Sequence, residues 1–161
     1  VKFEGSTTVS HILNAGSTIP WLLQFFCDLL LRHLDHDGNR RVIRNDDVDA
    51  ISSGDQLTSR LCLIVEDVNM PDLDRIIVYA CAAHDDEGVS ESAIVEHVRA
   101  HLYSVTFSQV RLALNYLVDT YVLTRDRSTY RFFIPQLKLA LQQREYDPEL
   151  IIRELASEYR Q

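Results

Sequence analysis

Cys81, His84, His97 and His101 follow one another as C-x2-H-x12-H-x3-H, close to the ligand spacing of a zinc finger. Thiolate and imidazole are donors that zinc accepts, and His97 and His101, four residues apart, share one face of a helix. A finger, however, needs a hairpin ahead of its helix, and Cys81 stands in an apolar helical run. The plainer expectation is a buried thiol with surface histidines and no resident metal. A second oxygen-rich stretch runs from Asp35 to Asp46 (DHDGNRRVIRND). Asp35, Asp37, Asn39 and Asp46 fall where a calcium loop of the EF-hand type places ligands, and Val42 fits its apolar position. Arg40 stands where that loop needs Gly for its sharp turn, Asp46 replaces the bidentate Glu, and Arg41 and Arg44 add positive charge. A polar turn leading into an Asn-capped helix is the expected structure, again without a metal.

A third set is polar and cationic: Gln109, Arg111 and Asn115, followed by Arg125, Arg127 and Arg131. On a helix and a following hairpin these side chains could meet bases and phosphates, or a protein partner. The alternative is a solvated hairpin whose arginines pair with nearby carboxylates. The charge balance favours that alternative. The chain of 161 residues has a net charge of −8, and an acidic surface attracts a phosphate backbone poorly unless its basic groups are gathered on one face. Catalysis has little support. Ser, His and Asp occur without a nucleophile elbow, and DVDA and HDDE read as capping and turn residues.

Apolar residues make up 46% and charged residues 25%, the composition of an ordinary globular chain. The three cysteines, Cys27, Cys62 and Cys81, each lie in an apolar run, which fits free thiols in a reducing compartment and so a cytoplasmic protein. The run from Ile19 to Leu34 is broken by Gln24, Asp28, Arg32 and His33, too polar for a membrane span. The chain begins at Val1 without an initiator Met, which points to a piece of a longer protein or a processed terminus.

The elements that must carry these residues fall into two regions. In residues 1–56 a short helix from about Val9 to Asn14 is expected to end at Gly16. Ser17 or Thr18 then caps a second helix that tolerates Pro20 in its first turn. This helix is apolar nearly all round (Trp21, Leu22, Leu23, Phe25, Phe26, Leu29, Leu30) and is expected at the centre of a bundle. Asp35 to Arg41 reads as a loop, and Asn45 as the cap of a short helix through Ile51. Residues 57–71 form a connector, and for Leu57 to Met70 strand and helix both remain open, because LCLIV is too short for periodicity to decide. In residues 72–161, Asp72 or Asp74 caps a helix to about His84, HDDEG turns, Ser90 caps a second helix, and Thr106 or Ser108 caps a third that ends near Thr120. VLTRDRSTYRFFI then reads as a hairpin (Val122 to Thr124, Tyr130 to Ile134), closed by Pro135. Helices over Leu137 to Gln143 and Glu149 to Arg160 complete the chain, with a break near Pro148.

Three helices followed by a hairpin is the order of a winged-helix domain. The string VRLALNYLVDTYVLTRDRSTYRFFIPQLKLAL resembles the winged helix that follows the core of signal-transducing P-loop ATPases of the STAND and archaeal groups. Leu114, Leu117, Val122, Leu123, Tyr130, Phe132, Ile134 and Pro135 carry the likeness. AGSTIPWLLQFFCDLLLRHL is similar to the lid helix of the same ATPases, through Gly16, Pro20, Trp21, Gln24 and Cys27, and RVIRNDDVDAI resembles the end of that lid. The spacing from Gly16 to Pro20 is longer than the family's. The resemblance implies a mainly α chain: a helical lid-like bundle followed by a winged-helix domain. It further implies a regulatory, non-catalytic role, with Pro20 and Trp21 towards a nucleotide, and a third helix and wing towards a protein partner or DNA. No phosphate-binding G-x-x-x-x-G-K-[ST] loop occurs, so the nucleotide-binding domain, with its ATP or ADP, is expected upstream, and this chain alone should not hydrolyse ATP. A DNA-binding module and a helical scaffold are the alternatives.

Overall fold

The computed structural model describes residues 1–16, 19–38, 40–66, 69–85, 88–143 and 147–159. It is mainly helical, and its chain divides into two compact units, Val1–Arg60 and Leu61–Gln161, the division falling inside one helix.

In the first unit, β1 (Lys2–Phe3) precedes α1 (Ser6–Gly16) and α2 (Pro20–His36), and β2 (Val42–Ile43) leads into α3 (Asn45–Ser52). β1 and β2 pair in parallel, with Lys2 opposite Val42 and Phe3 opposite Ile43. Two residues per strand leave no alternation to read, so this pair was not expected. Gly16 is the last residue of α1 rather than the residue beyond it. The expected caps Ser17 and Thr18 lie outside the described residues. The cap position of α2 is held by Ile19, whose side chain cannot accept a hydrogen bond, and Pro20 opens the helix, where the backbone N–H that proline lacks has no intrahelical partner to lose. α2 is not buried all round. Leu22, Phe26, Leu29, Leu30 and Leu34 form one inward stripe against α1 and α3, while Trp21 and Leu31 face out.

α4 (Asp55–Val65) makes the ambiguous segment a helix as far as Val65. Leu57, Leu61, Cys62 and Val65 are its buried positions, a helical spacing that a two-sided strand would not produce.

The second unit is built round α5 (Asp72–Ala83), which packs against α6 (Glu91–His101), α7 (Phe107–Asp119), α8 (Pro135–Gln142) and α9 (Pro148–Tyr159). Nine consecutive or near-consecutive α5 residues are buried, among them Ile76, Ile77, Val78, Tyr79 and Ala80. Each large side chain so enclosed contributes roughly 1.5–3 kcal/mol of apolar transfer. Neither Asp72 nor Asp74 is the cap: Pro71 holds that position and both acids lie inside the first turn. Ser90 and Thr106 do cap α6 and α7, accepting hydrogen bonds from the backbone N–H of Ala93 (3.2 Å) and Gln109 (3.3 Å).

A short strand β3 (Val89–Ser90) precedes α6, and β4 (Leu123–Asp126) and β5 (Thr129–Phe132) follow α7. The three form an antiparallel sheet in the order β3-β5-β4. The hairpin is tighter than expected: Arg125 and Asp126 are strand residues, and Arg127 and Ser128 make the turn. Arg127 takes the left-handed conformation that such a two-residue turn demands (φ 55°). Pro135 opens α8 instead of merely closing the strand. No helix among the described residues is long and apolar enough to cross a membrane.

Candidate functional site

The outward side of α7 is the most distinctive surface of the second unit. Val110, Ala113, Leu114 and Leu117 turn inwards. Three large apolar groups are exposed on the flanks of α7, Leu112 (69%) and Tyr116 (48%) on one and Phe107 (46%) on the other, with Ser108, Asn115 and Asp119 between them. Leu112 and Tyr116 line an open groove with Pro71, Asp72, Asp74, Gln109 and Tyr159. Phe107 lines a second, with Val95, Arg99 and Tyr103.

The polar residues singled out from the sequence share this helix and the hairpin, but most are already engaged. Gln109 is bound in a capping box. Its Oε1 accepts from the Thr106 N–H and hydroxyl (both 2.8 Å). T-x-x-Q ahead of an apolar run is the sequence signal for that role. Arg111 donates through Nε to Glu91 (2.8 Å) and lies over the Phe107 ring. Arg125 donates to the Arg127 carbonyl (3.1 Å), comes within 3.9 Å of Glu91 and stacks on Tyr130. Arg131 pairs with Asp126 (2.7 Å). The Arg127 side chain at the tip of the turn and exposed Asn115 have no partner among the described residues. Three of the four arginines thus have a carboxylate neighbour, Glu91 serving two of them, and the exposed surface of α7 is mixed, with Leu112 and Tyr116 as an apolar pair among polar groups.

Two further features of this region gave no sequence signal. Tyr121 follows α7 with φ 59°, a conformation usually left to Gly. It is held there by a Schellman pattern: Val122 N–H donates to Leu117 O (3.0 Å) and Tyr121 N–H to Val118 O (3.1 Å). The Tyr121 ring stays exposed, edge-on to Phe133 at 5.5 Å. The second feature is Asp74. It is only 5% exposed, and burial pushes its carboxyl up to about 6.

In the first unit, Pro20 and Trp21 stand exposed at the start of α2. The Arg60 guanidinium lies 6.0 Å from the Trp21 ring and 5.9 Å from that of Phe25, so the indole is part of a cation–aromatic cluster.

The calcium-loop geometry does not form. Asp35 belongs to the last turn of α2 and Asp46 to the first turn of α3, while Asn39 lies outside the described residues. The position is organised instead by Asp47, the neighbour of the Asp46 that the calcium-loop spacing singles out. Asp47 is buried, bonds Arg40, accepts the Arg44 N–H (2.8 Å) and lies 3.4 Å from His33. Arg40 also reaches Asp37 (2.9 Å). Burial raises the Asp47 carboxyl, but the Arg40 bond, the Arg44 N–H and the charges of Arg40 and His33 outweigh it and hold it below its usual range.

The zinc-finger spacing is met in part. Cys81 is enclosed in α5, and burial raises its thiol to about 12 despite Lys138. His84, at the end of α5, sets its ring edge-on to His97 (centroids 5.3 Å), and His97 stacks on His101 at 5.7 Å. The fourth member of the group is Glu149 on α9. One oxygen lies 3.0 Å from His97 Nε2 and the other 3.2 Å from His101 Nε2. Burial lowers the pKa of His97 more strongly than the Glu149 carboxylate raises it, and His84 and His101 lower it further.

Neither a family model, nor a curated protein, nor a solved structure matches this chain.

Proposed function

We propose that the chain is the regulatory, non-catalytic part of a signal-transducing P-loop ATPase. Its second unit acts as a winged-helix module that docks a protein through the exposed flank of α7 at Leu112 and Tyr116. What carries the reading is the apolar flank of α7: Leu112 and Tyr116 lie uncovered over an open groove, while Arg111 and Arg131 are engaged by Glu91 and Asp126. Apolar surface of this kind is what protein interfaces bury at their centres. The element order supports the winged-helix part: helix, short strand, two helices, then a hairpin, with the short strand added to β5. In the same reading Pro20 and Trp21 face the nucleotide domain, and ATP or ADP belongs to the full-length protein. Nucleotide state would then reach the partner through the lid-like first unit.

Titration with duplex DNA at low salt tests the partner assignment, because phosphate contacts are strongest there. No saturable binding is expected from a unit whose residues 61–161 carry 10 basic and 16 acidic side chains. A complex that weakens steeply with salt, and that Arg127→Ala weakens further, would move the function to DNA reading. The upstream sequence of the full-length gene tests the ATPase assignment: a phosphate loop is required, and its absence would end the proposal.

A further inference from the structure

α6 and α9 bring two imidazoles and a carboxylate to one point. His97 and His101 are one turn apart on α6, so their rings project from the same face. Glu149 enters from the first turn of α9, where Asp147 Oδ1 accepts the Glu149 N–H (3.0 Å) and fixes the start of the helix. The nitrogens and a carboxylate oxygen all lie within 4.8 Å of one another. A tetrahedral zinc ion with bonds of about 2.0–2.1 Å sets neighbouring ligand atoms roughly 3.3 Å apart. His97 Nε2 lies 3.0 Å from one Glu149 oxygen and His101 Nε2 3.2 Å from the other, so a turn of the carboxylate is needed to bring one oxygen between the two nitrogens.

At His97 the contact with Glu149 is short but poorly directed. His97 Nε2 is sealed from solvent and has no hydrogen-bond partner, although Glu149 Oε1 is 3.0 Å away: the approach is off the N–H axis. A short nitrogen–oxygen approach off the N–H axis is a geometry that two ligands of one ion also adopt. His84 Nε2, against His97, is also buried without a partner.

We propose that His97, His101 and Glu149 form a binding site for a divalent transition-metal ion of the zinc class, joining the start of α9 to α6. Two imidazoles and a carboxylate are a donor set that zinc takes with a fourth position left over. His84 stands beside the site and can supply that position after a ring rotation; otherwise water or a group from a partner fills it. Cys81 takes no part. This inference is independent of the ATPase reading.

The test is calorimetric titration of Zn2+ into tag-free, chelator-treated chain. One ion per chain with micromolar or tighter affinity is expected, weakened at least about 10-fold by His101→Ala and by Glu149→Gln, since even outer-sphere changes cost about that much. His36→Ala, an exposed histidine of the first unit, should bind as the parent does. If a site variant fails to fold, Co2+ substitution in the unaltered chain decides. Tetrahedral d–d bands without a thiolate charge-transfer band are expected, together with zinc-induced shifts confined to the ring nitrogens of His97, His101 and neighbouring His84. No saturable binding, binding that survives both substitutions, or a thiolate band would overturn the site.

Discussion

Replacing Asp74 with Asn isolates the cost of a carboxylate that α5 carries into buried surroundings. In the unfolded chain the group titrates near its ordinary value of 3.8, and in the folded unit burial raises it to about 6. Two units at about 1.4 kcal/mol each set a ceiling of about 3 kcal/mol on what ionised Asp74 costs the fold. Asn also forfeits the favourable interaction of a negative charge with the first turn of a helix, about 0.3–1 kcal/mol. Asp74→Asn should therefore stabilise the second unit by about 2 kcal/mol at pH 8. The sign follows from proton binding. The folded state holds the proton more tightly, so the cost is absent below the unfolded value, grows as pH rises through 4 to 6, and is complete above the folded value of about 6. The difference between variant and parent should vanish near pH 4. The single Trp, Trp21, lies in the first unit and does not report this change. Hydrogen exchange of the α5 amides, measured at several pH values, does. A variant whose gain is the same at every pH, or which is less stable at pH 8, would refute the desolvation argument.

Asp47→Ala leaves Arg40 without its buried partner and the Arg44 N–H without its acceptor. It should cost the first unit about 2–3 kcal/mol at neutral pH, read by Trp21 fluorescence in urea. Because the Asp47 carboxyl is held below its usual range, that stabilisation is present at neutral pH and is lost as pH falls through the folded value, so the variant should show a flatter acid limb. Leu114→Ala and Leu112→Ala separate core from surface on one helix. The first should cost about 2–5 kcal/mol, the second stay within about 0.5 kcal/mol in urea unfolding, with Leu112→Ala reserving its effect for partner binding.

The helices of the second unit were legible because local chemistry and packing agree there. Ser90 and Thr106 are hydroxyl caps placed directly before apolar residues at helical spacing, and each does cap. α5 reads as helix from the same spacing, but its near-complete enclosure depends on four other helices, and no local pattern announces that. Leu57 to Val65 could not be decided locally, since a short apolar run suits either period until its neighbours choose a face. β1, β2 and β3 are two residues each and exist only through their partners. The sites follow the same division. H-x3-H places His97 and His101 together from local spacing alone, whereas Glu149 comes from a helix far along the chain and replaced the Cys81 that spacing suggested. Asp46 and Asp47 are adjacent, and only the turn of α3 decides which one is buried. The arginines of α7 and the hairpin were visible as a cluster. Their pairing with Glu91 and Asp126 needed the fold, because Glu91 reaches Arg111 and Arg125 from the start of another helix.

Hydrogen exchange of the full-length gene product, with and without ATP, tests the proposed regulatory role most directly. Nucleotide should change amide protection in two places: the first turns of α2 behind Pro20 and Trp21, and the exposed side of α7 around Leu112 and Tyr116. A nucleotide response confined to the upstream domain, with α2 and α7 exchanging as before, would contradict it.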